Sequence, residues 1–157
     1  MSTHSATEFA AALPSGGVLA GLDLGTKTIG VAYCDAEWHF ASPAETIIRK
    51  KQAADFAELR RLTGARQLAG FVLGYPINMI GTDGPRAQAT RAFARSLEAE
   101  FALPVLLWDE RMSTQAVTRD LIAADVSRAK RDARIDALAA AHILQAAIDA
   151  LAHAASN

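Results

Sequence analysis

The sequence predicts an α/β domain with a mixed five-stranded sheet and helices on the faces of the sheet. Short apolar runs bounded by turn residues are typical of buried strands. Two of these runs are separated only by a tight turn, which predicts a hairpin. The later runs alternate with stretches of helical period. The order β-β-β-α-β-α-β-α-α therefore joins three antiparallel-type strands to alternating helices and strands.

Five apolar runs predict the strands of this sheet. The first two flank a turn at residues 25–28 and should pair as a hairpin, because so short a connection joins antiparallel neighbours. The third run contains Ser42 and Pro43, and it should lie at an edge or a bulge because proline cannot donate to a strand ladder. The predicted strands cover residues 18–22, 29–34, 40–48, 68–73 and 104–108.

Helical periodicity predicts the segments between and after the later strands. Residues 51–62 carry apolar side chains at helical spacing, and Gly64 can end that helix. Ser113 or Thr114 can cap a helix that precedes a polar, basic stretch at residues 125–134. The predicted helices cover residues 51–62, 87–101, 113–124 and 135–152.

These elements predict one domain at residues 18–152, with a flexible tail at residues 1–17 and a short second tail at residues 153–157. The length of 157 residues agrees with a single domain. Residues 1–17 contain neither a cationic segment nor a long apolar run, so we expect no signal peptide. We also expect no membrane span and a cytoplasmic location.

The composition excludes several classes of protein. The chain is 51% hydrophobic and 21% charged, so it can bury a core, which excludes disordered and collagen-like proteins. Its 16 basic and 17 acidic residues give a net charge of −1, so any nucleic-acid binding must depend on local basic patches. A single cysteine, Cys34, excludes a disulfide framework and a cysteine-based zinc site.

Three acidic residues are expected at the ends of predicted elements. Asp23 follows the first strand, Glu110 follows the last strand, and Asp136 lies in the first turn of the final helix. Strand ends in an open sheet border a common crevice where ligands bind. Carboxylate oxygens there suit Mg²⁺ or Mn²⁺, which can drive phosphodiester cleavage. Each acid alone could instead be solvated or, at Asp136, stabilised by the helix dipole.

Four sequence blocks resemble one known family in order and spacing. They are GLDLGTKTIGVA at residues 21–32, VLGYPINM with GT at residues 72–82, WDERMST at residues 108–114, and RIDALAA with ILQ at residues 134–145. On these blocks the chain resembles the YqgF/RuvX family of RNase H-like nucleases over residues 18–151. It departs from the family pattern at Tyr75, Ile80 and Ala137, and none of these positions is one of the three acids named above, so the departures concern substrate preference more than chemistry.

The resemblance implies an RNase H-like fold and a divalent-metal-dependent nuclease. The acidic positions of the family fall on Asp23, Glu110 and Asp136, the residues that the strand and helix ends had already singled out. Apart from the resemblance, Asp132 lies four residues before Asp136 and could be an auxiliary ligand or simply solvated, and the sequence does not decide whether Asp109 assists. The family is described both as an endonuclease that matures the 5′ end of pre-16S rRNA in ribosome biogenesis and as a Holliday junction resolvase.

Polar and basic residues near these acids are candidates for substrate binding. Lys27 can contact a phosphate as a point charge, or it can be an ordinary exposed turn lysine. Arg111 can bind phosphate through two hydrogen bonds, or it can pair with a neighbouring acid. The other candidates are Thr26, Asn78, Arg128, Lys130 and Arg131. The last three belong to a stretch with a local excess of positive charge before Asp136. This stretch can bind phosphates of the substrate, or it can be an ordinary solvated loop.

The expected partner is nucleic acid, either pre-16S rRNA or branched DNA, bound by a monomer or a homodimer. A junction resolvase generally needs two active sites, so a dimer would favour that activity. Two other functions remain open from the sequence. One is a non-catalytic nucleic-acid-binding module associated with the ribosome, although none of the three acids is lost here. The other is an actin-like or sugar-kinase-like ATPase, suggested by residues 23–26, although such proteins need two domains of this kind.

Overall fold

The computed structural model describes residues 2–13, 16–25, 27–64, 66–75, 84–109 and 128–156, leaving out the side chains of Ser2 and of residues 128–135 and 153–156. The strands are β1 (Ser2–Thr3), β2 (Val18–Leu24), β3 (Thr28–Cys34), β4 (Ala41–Ile48), β5 (Leu68–Tyr75) and β6 (Val105–Asp109). The helices are α1 (Ala6–Ala12), α2 (Gln52–Thr63), α3 (Pro85–Phe101) and α4 (Arg128–Ser156).

The described strands form one mixed sheet in the order β1-β6-β5-β2-β3-β4. Strands β2, β3 and β4 pair antiparallel, whereas β5 lies parallel to β2 and β6 lies parallel to β5. The five predicted strands and their mixed pairing are therefore confirmed. The predicted position of the Pro43 strand is also correct, because β4 is an edge strand and its register against β3 shifts beside Pro43.

Helices cover both faces of the sheet. Helices α2 and α3 pack on one face, where Phe56, Phe93 and Leu97 join the core. Helices α1 and α4 pack on the other face through Phe9 and Leu144. Residues i and i+2 of a strand share a face, so each strand contributes alternate side chains to the two apolar layers. Among the described helices, none is long and apolar enough to cross a bilayer.

Residues 1–17 differ from the expected flexible tail. β1 pairs with β6 in parallel and adds a sixth strand to the sheet. Ser5 caps α1 by accepting a hydrogen bond from the Glu8 backbone N–H at 3.2 Å, and Phe9 is fully buried. The Ser-x-x-Glu capping box at residues 5–8 is the local signal that predicts this helix. It is easily missed, because the helix has only seven residues and buries one aromatic ring.

The last helix is longer than predicted at both ends. α4 begins at Arg128 instead of residue 135 and continues to Ser156, through most of the expected second tail. Residues 128–134 contain good helix formers and neither glycine nor proline, so nothing in them ends a helix. The expectation that Asp136 lies in the first helical turn is therefore wrong. The predicted helix at residues 113–124 lies outside the described part of the chain.

Candidate active site

The carboxyl end of β2 places Asp23 on the same face of the sheet as α4. Asp23 is partly exposed and pairs with Gly30 across the β2–β3 hairpin. Side chains directly opposite each other in an antiparallel pair project on the same side. A Cβ on Gly21 would lie 2.8 Å from the Ala140 carbonyl of α4, so this side of β2 faces that helix. Asp23, two residues on, shares that side.

Asp136 of α4 lies against the same end of the hairpin. The Thr28 hydroxyl donates a hydrogen bond to Asp136 Oδ2 at 2.6 Å. A Cβ on Gly30 would lie 2.0 Å from the Asp136 carbonyl oxygen, so the helix approaches the strand only because that position is glycine. The structure therefore brings Asp23 and Asp136, two of the three predicted acids, next to Gly30 on the α4 face of the sheet. Because Asp136 lies beyond the first turn, the helix dipole does not explain an acid at this position.

The alternation of side chains along β6 shows on which face of the sheet Asp109 lies. Leu106 and Trp108 pack with the α4 side of the core, whereas Leu107 packs with the α2 and α3 side. By alternation, Asp109 belongs to the α2 and α3 side, the face opposite to Asp23 and Asp136. Glu110 lies outside the described residues, and its role remains a prediction.

We expect Glu110, and not Asp109, to be the acid required for activity, because strand alternation directs only one of the two neighbours towards α4. Glu110→Gln should reduce cleavage strongly, and Asp109→Asn should change it little. Steady-state cleavage assays on the two purified variants test this directly. An active Glu110→Gln enzyme beside an inactive Asp109→Asn enzyme would reverse the assignment.

The turn after Asp23 is held by hydrogen bonds from outside the hairpin. Within the turn, the Gly25 backbone N–H donates to the Thr28 carbonyl at 2.8 Å, and Lys27 is exposed. Arg49 Nη1 donates to the Gly25 carbonyl at 2.6 Å, and Arg86 Nη2 donates to the Leu24 carbonyl at 3.4 Å. Neither of these two contacts was predicted from the sequence.

Several predicted substrate-binding residues lie outside the described part of the chain. These are Thr26, Asn78 and Arg111. Arg128, Lys130 and Arg131 lie in the first turn of α4, but only their backbone is described, and the same holds for Asp132 one turn before Asp136. The stretch expected to be a basic loop is therefore helical from Arg128 onward.

A second acidic cluster lies at the other end of β3. Asp35, Glu37 and His39 are exposed, and their ligand atoms lie within 4.8 Å of one another. Asp35 Oδ1 accepts hydrogen bonds from the backbone N–H groups of His39 and Phe40 at 2.7 and 2.8 Å. The Phe40 bond, followed by that of His39, lowers the pKa of Asp35. Asp35 therefore has a structural role in forming this turn, and it lies at the opposite end of β3 from the predicted metal site.

The chain is similar to proteins of one family. The family model RuvX, described as Holliday junction resolvase, matches residues 17–150. A protein of Sphingopyxis alaskensis named "Putative pre-16S rRNA nuclease" is 64% identical over 96% of this chain and 99% of its own length. A protein of the same name from Novosphingobium aromaticivorans is 57% identical over 99% of both chains.

The fold is similar to that of a protein whose complex with a nucleic-acid substrate has been solved. The structure of T. thermophilus RuvC with a Holliday junction substrate superposes with a TM-score of 0.54 and 17% identity, covering 87% of this chain and 96% of that one. At this identity the likeness concerns the fold alone, and it agrees with the RNase H-like sheet that the sequence resemblance implied.

Proposed function

This chain belongs to the RuvX family of nucleases, and on that premise we propose that it is a divalent-metal-dependent endonuclease that matures the 5′ end of pre-16S rRNA. The observation that carries the proposal is the placement of Asp23 and Asp136 next to Gly30, near the turn of the hairpin. The names of the full-length relatives support the choice of substrate. Such an activity belongs in the cytoplasm.

The residues at this end of the hairpin fit a hard divalent cation. Asp23 and Asp136 supply carboxylate oxygens, the donors that Mg²⁺ and Mn²⁺ prefer. Glu110 is the predicted third ligand. When bound, such an ion would stabilise charge that develops on the cleaved phosphate and favour ionisation of the attacking water.

The protein's own contribution is to orient the carboxylates and to bind the substrate. The Thr28 hydroxyl bonds one oxygen of Asp136 and thereby limits rotation of that carboxylate. Lys27 is exposed in the turn directly after Asp23, where an ammonium group can contact a phosphate of the substrate. Neither residue needs to move a proton for these roles.

A second candidate function is resolution of Holliday junctions. The description of the matching family model favours it. A junction has two strands to cut, so this activity requires two active sites and predicts a homodimer, whereas RNA processing requires only a monomer.

Cleavage assays on both substrates test the proposal. The purified protein is offered a pre-16S rRNA leader fragment and a four-way DNA junction, each with Mg²⁺ or Mn²⁺ and with a chelator control. We expect metal-dependent cleavage of the RNA fragment. Cleavage of the junction alone, together with a dimer in solution, would support the second function, and no cleavage of either substrate would contradict both.

The basic start of α4 yields a prediction about salt dependence. Replacing Arg128, Lys130 and Arg131 with alanine should weaken RNA binding, and each lost phosphate contact should lower the slope of log affinity against log salt by roughly 0.7–0.9. The rate at saturating substrate should persist, because these residues would provide uniform binding. Affinity measured across a salt titration tests this expectation.

A matched triple variant controls for the loss of charge. Arg60, Arg61 and Arg66 lie at the carboxyl end of α2 and just beyond it, where Arg66 stacks on Tyr33 at the far end of β3. Their replacement with alanine removes the same charge away from the site and should leave the slope unchanged. Equal slopes for the wild type and the α4 variant would exclude this segment as a phosphate-binding surface.

A further inference from the structure

Arg49 connects strand β4 and helix α2 to the turn that follows Asp23. Its backbone N–H donates to the Lys27 carbonyl at 2.9 Å, and its side-chain Nη1 donates to the Gly25 carbonyl at 2.6 Å. One residue therefore bonds two of the carbonyls in the turn at residues 25–28. Arg49 is the first residue of a basic run at residues 49–51 before α2, and these bonds attach it to the turn instead of leaving it solvated.

Asp55 in the first turn of α2 holds the guanidinium from the other side. Its side chain is only 2% exposed, its Oδ1 accepts a hydrogen bond from the Lys50 backbone N–H at 2.8 Å, and its Oδ2 lies 3.9 Å from Arg49 Nε. Among the described residues, Oδ2 has no hydrogen-bond partner. A buried carboxylate is costly unless it is paired, so the ion pair restrains Arg49 as well as neutralising Asp55.

The turn that Arg49 holds connects the parts of the candidate site. It begins directly after Leu24, it exposes Lys27, and it ends at Thr28, whose hydroxyl bonds Asp136. A displacement of the turn would therefore move Lys27 and the hydrogen bond to Asp136 together. Misplacement of about 1 Å at a catalytic group can cost roughly 100-fold in rate.

We propose that Arg49 is a positioning residue of the nuclease, which holds the turn at residues 25–28, and through Thr28 the Asp136 carboxylate, in the catalytic arrangement. The proposal rests on the proposed function for its effect on catalysis. Arg49 acts through backbone carbonyls, and the phosphate contact in this turn is assigned to the exposed Lys27.

Three variants separate positioning from a direct contact with substrate. Arg49→Ala removes the side chain. Arg49→Lys keeps the charge but loses the planar guanidinium that reaches both Gly25 and Asp55. Asp55→Asn keeps the shape of the carboxyl group without its charge. Arg60→Ala is the matched control, because Arg60 is also an arginine paired with an acid, Glu100, at the opposite end of α2.

Hydrogen exchange of the turn provides a readout that does not depend on activity. The Gly25 amide bonds the Thr28 carbonyl at 2.8 Å, so it should exchange slowly in the wild type. Arg49→Ala and Arg49→Lys should each accelerate exchange in residues 24–28 at least several-fold, and Arg60→Ala should not. Unchanged exchange in both Arg49 variants would overturn the proposal, even if the wild type cleaved neither substrate.

Kinetics on the RNA fragment test the effect on catalysis. We expect Arg49→Ala and Arg49→Lys to lower kcat about 10–100-fold, with a smaller rise in KM from the displaced Lys27. Asp55→Asn should lower kcat less than Arg49→Ala does. The two effects should not add, because both changes remove the same ion pair between Arg49 and Asp55. A raised KM with normal kcat in Arg49→Ala, restored by lysine, would show a direct phosphate contact and would overturn the positioning role.

Discussion

Replacing Asp23 with asparagine is expected to abolish cleavage and leave the fold intact. The side chain is partly exposed at the end of β2, so we expect its charge to serve metal binding and to contribute little to the core. Loss of several kcal/mol of transition-state stabilisation corresponds to a decrease in kcat of about 10³-fold or more. The melting temperature should stay the same or rise, because the substitution removes one of the two carboxylates next to Gly30.

Asp35→Asn provides the matched control for this variant. It makes the same chemical change in an exposed acid at the far end of β3, and the amide oxygen can still accept the hydrogen bonds from His39 and Phe40. Single-turnover cleavage rates and thermal melts of both variants test the prediction. Full activity in Asp23→Asn would remove this residue from the catalytic centre.

Replacing Gly30 with alanine is expected to separate α4 from the hairpin and to reduce activity severely. The new Cβ would lie 2.0 Å from the carbonyl oxygen and 2.3 Å from the carbonyl carbon of Asp136, and neither backbone atom can rotate away. Overpacking of this kind costs typically about 1–3 kcal/mol of stability, and occasionally more. The helix must shift at Asp136, whose carboxylate accepts the hydrogen bond from Thr28. The arrangement of the candidate site should therefore be lost as well.

Gly21→Ala distinguishes the loss of stability from the loss of the site. Its Cβ would lie 2.7 Å from Leu144 Cβ and 2.8 Å from the Ala140 carbonyl, so it also strains the contact between β2 and α4, but farther along the helix. Measured below the melting temperature of both variants, Gly30→Ala should lose far more activity than Gly21→Ala. Equal losses would mean that Gly30 serves only general packing.

The sheet could be predicted from the sequence because its strands are signalled locally. The five strands of the prediction are apolar runs with turn residues at their ends, and the hairpin follows from the short turn between two of them. Asp23 and Glu110 were selected by the same logic, because strand ends gather at one edge of a sheet. Asp136 was selected as a residue of the first turn of the last helix, and that premise is wrong because α4 begins at Arg128. The catalytic role of the three acids stays a prediction.

Features that depend on contacts between distant segments could not be predicted in this way. The bond from Arg49 to Gly25 and the approach of Asp136 to Gly30 join residues that no local pattern relates. The early start of α4 was missed because residues 128–134 are mostly charged and lack an apolar periodicity. β1 was missed because a two-residue strand has no period to detect.

Calorimetric titration of Mn²⁺ tests most directly whether Asp23 and Asp136 hold a divalent cation. The wild type, Asp23→Asn, Asp136→Asn and Asp35→Asn are titrated under the same conditions. We expect Asp23→Asn and Asp136→Asn to lose the binding seen in the wild type, and Asp35→Asn to keep it. Wild-type binding in Asp23→Asn and Asp136→Asn, with loss in Asp35→Asn, would instead place the cation at the far end of β3.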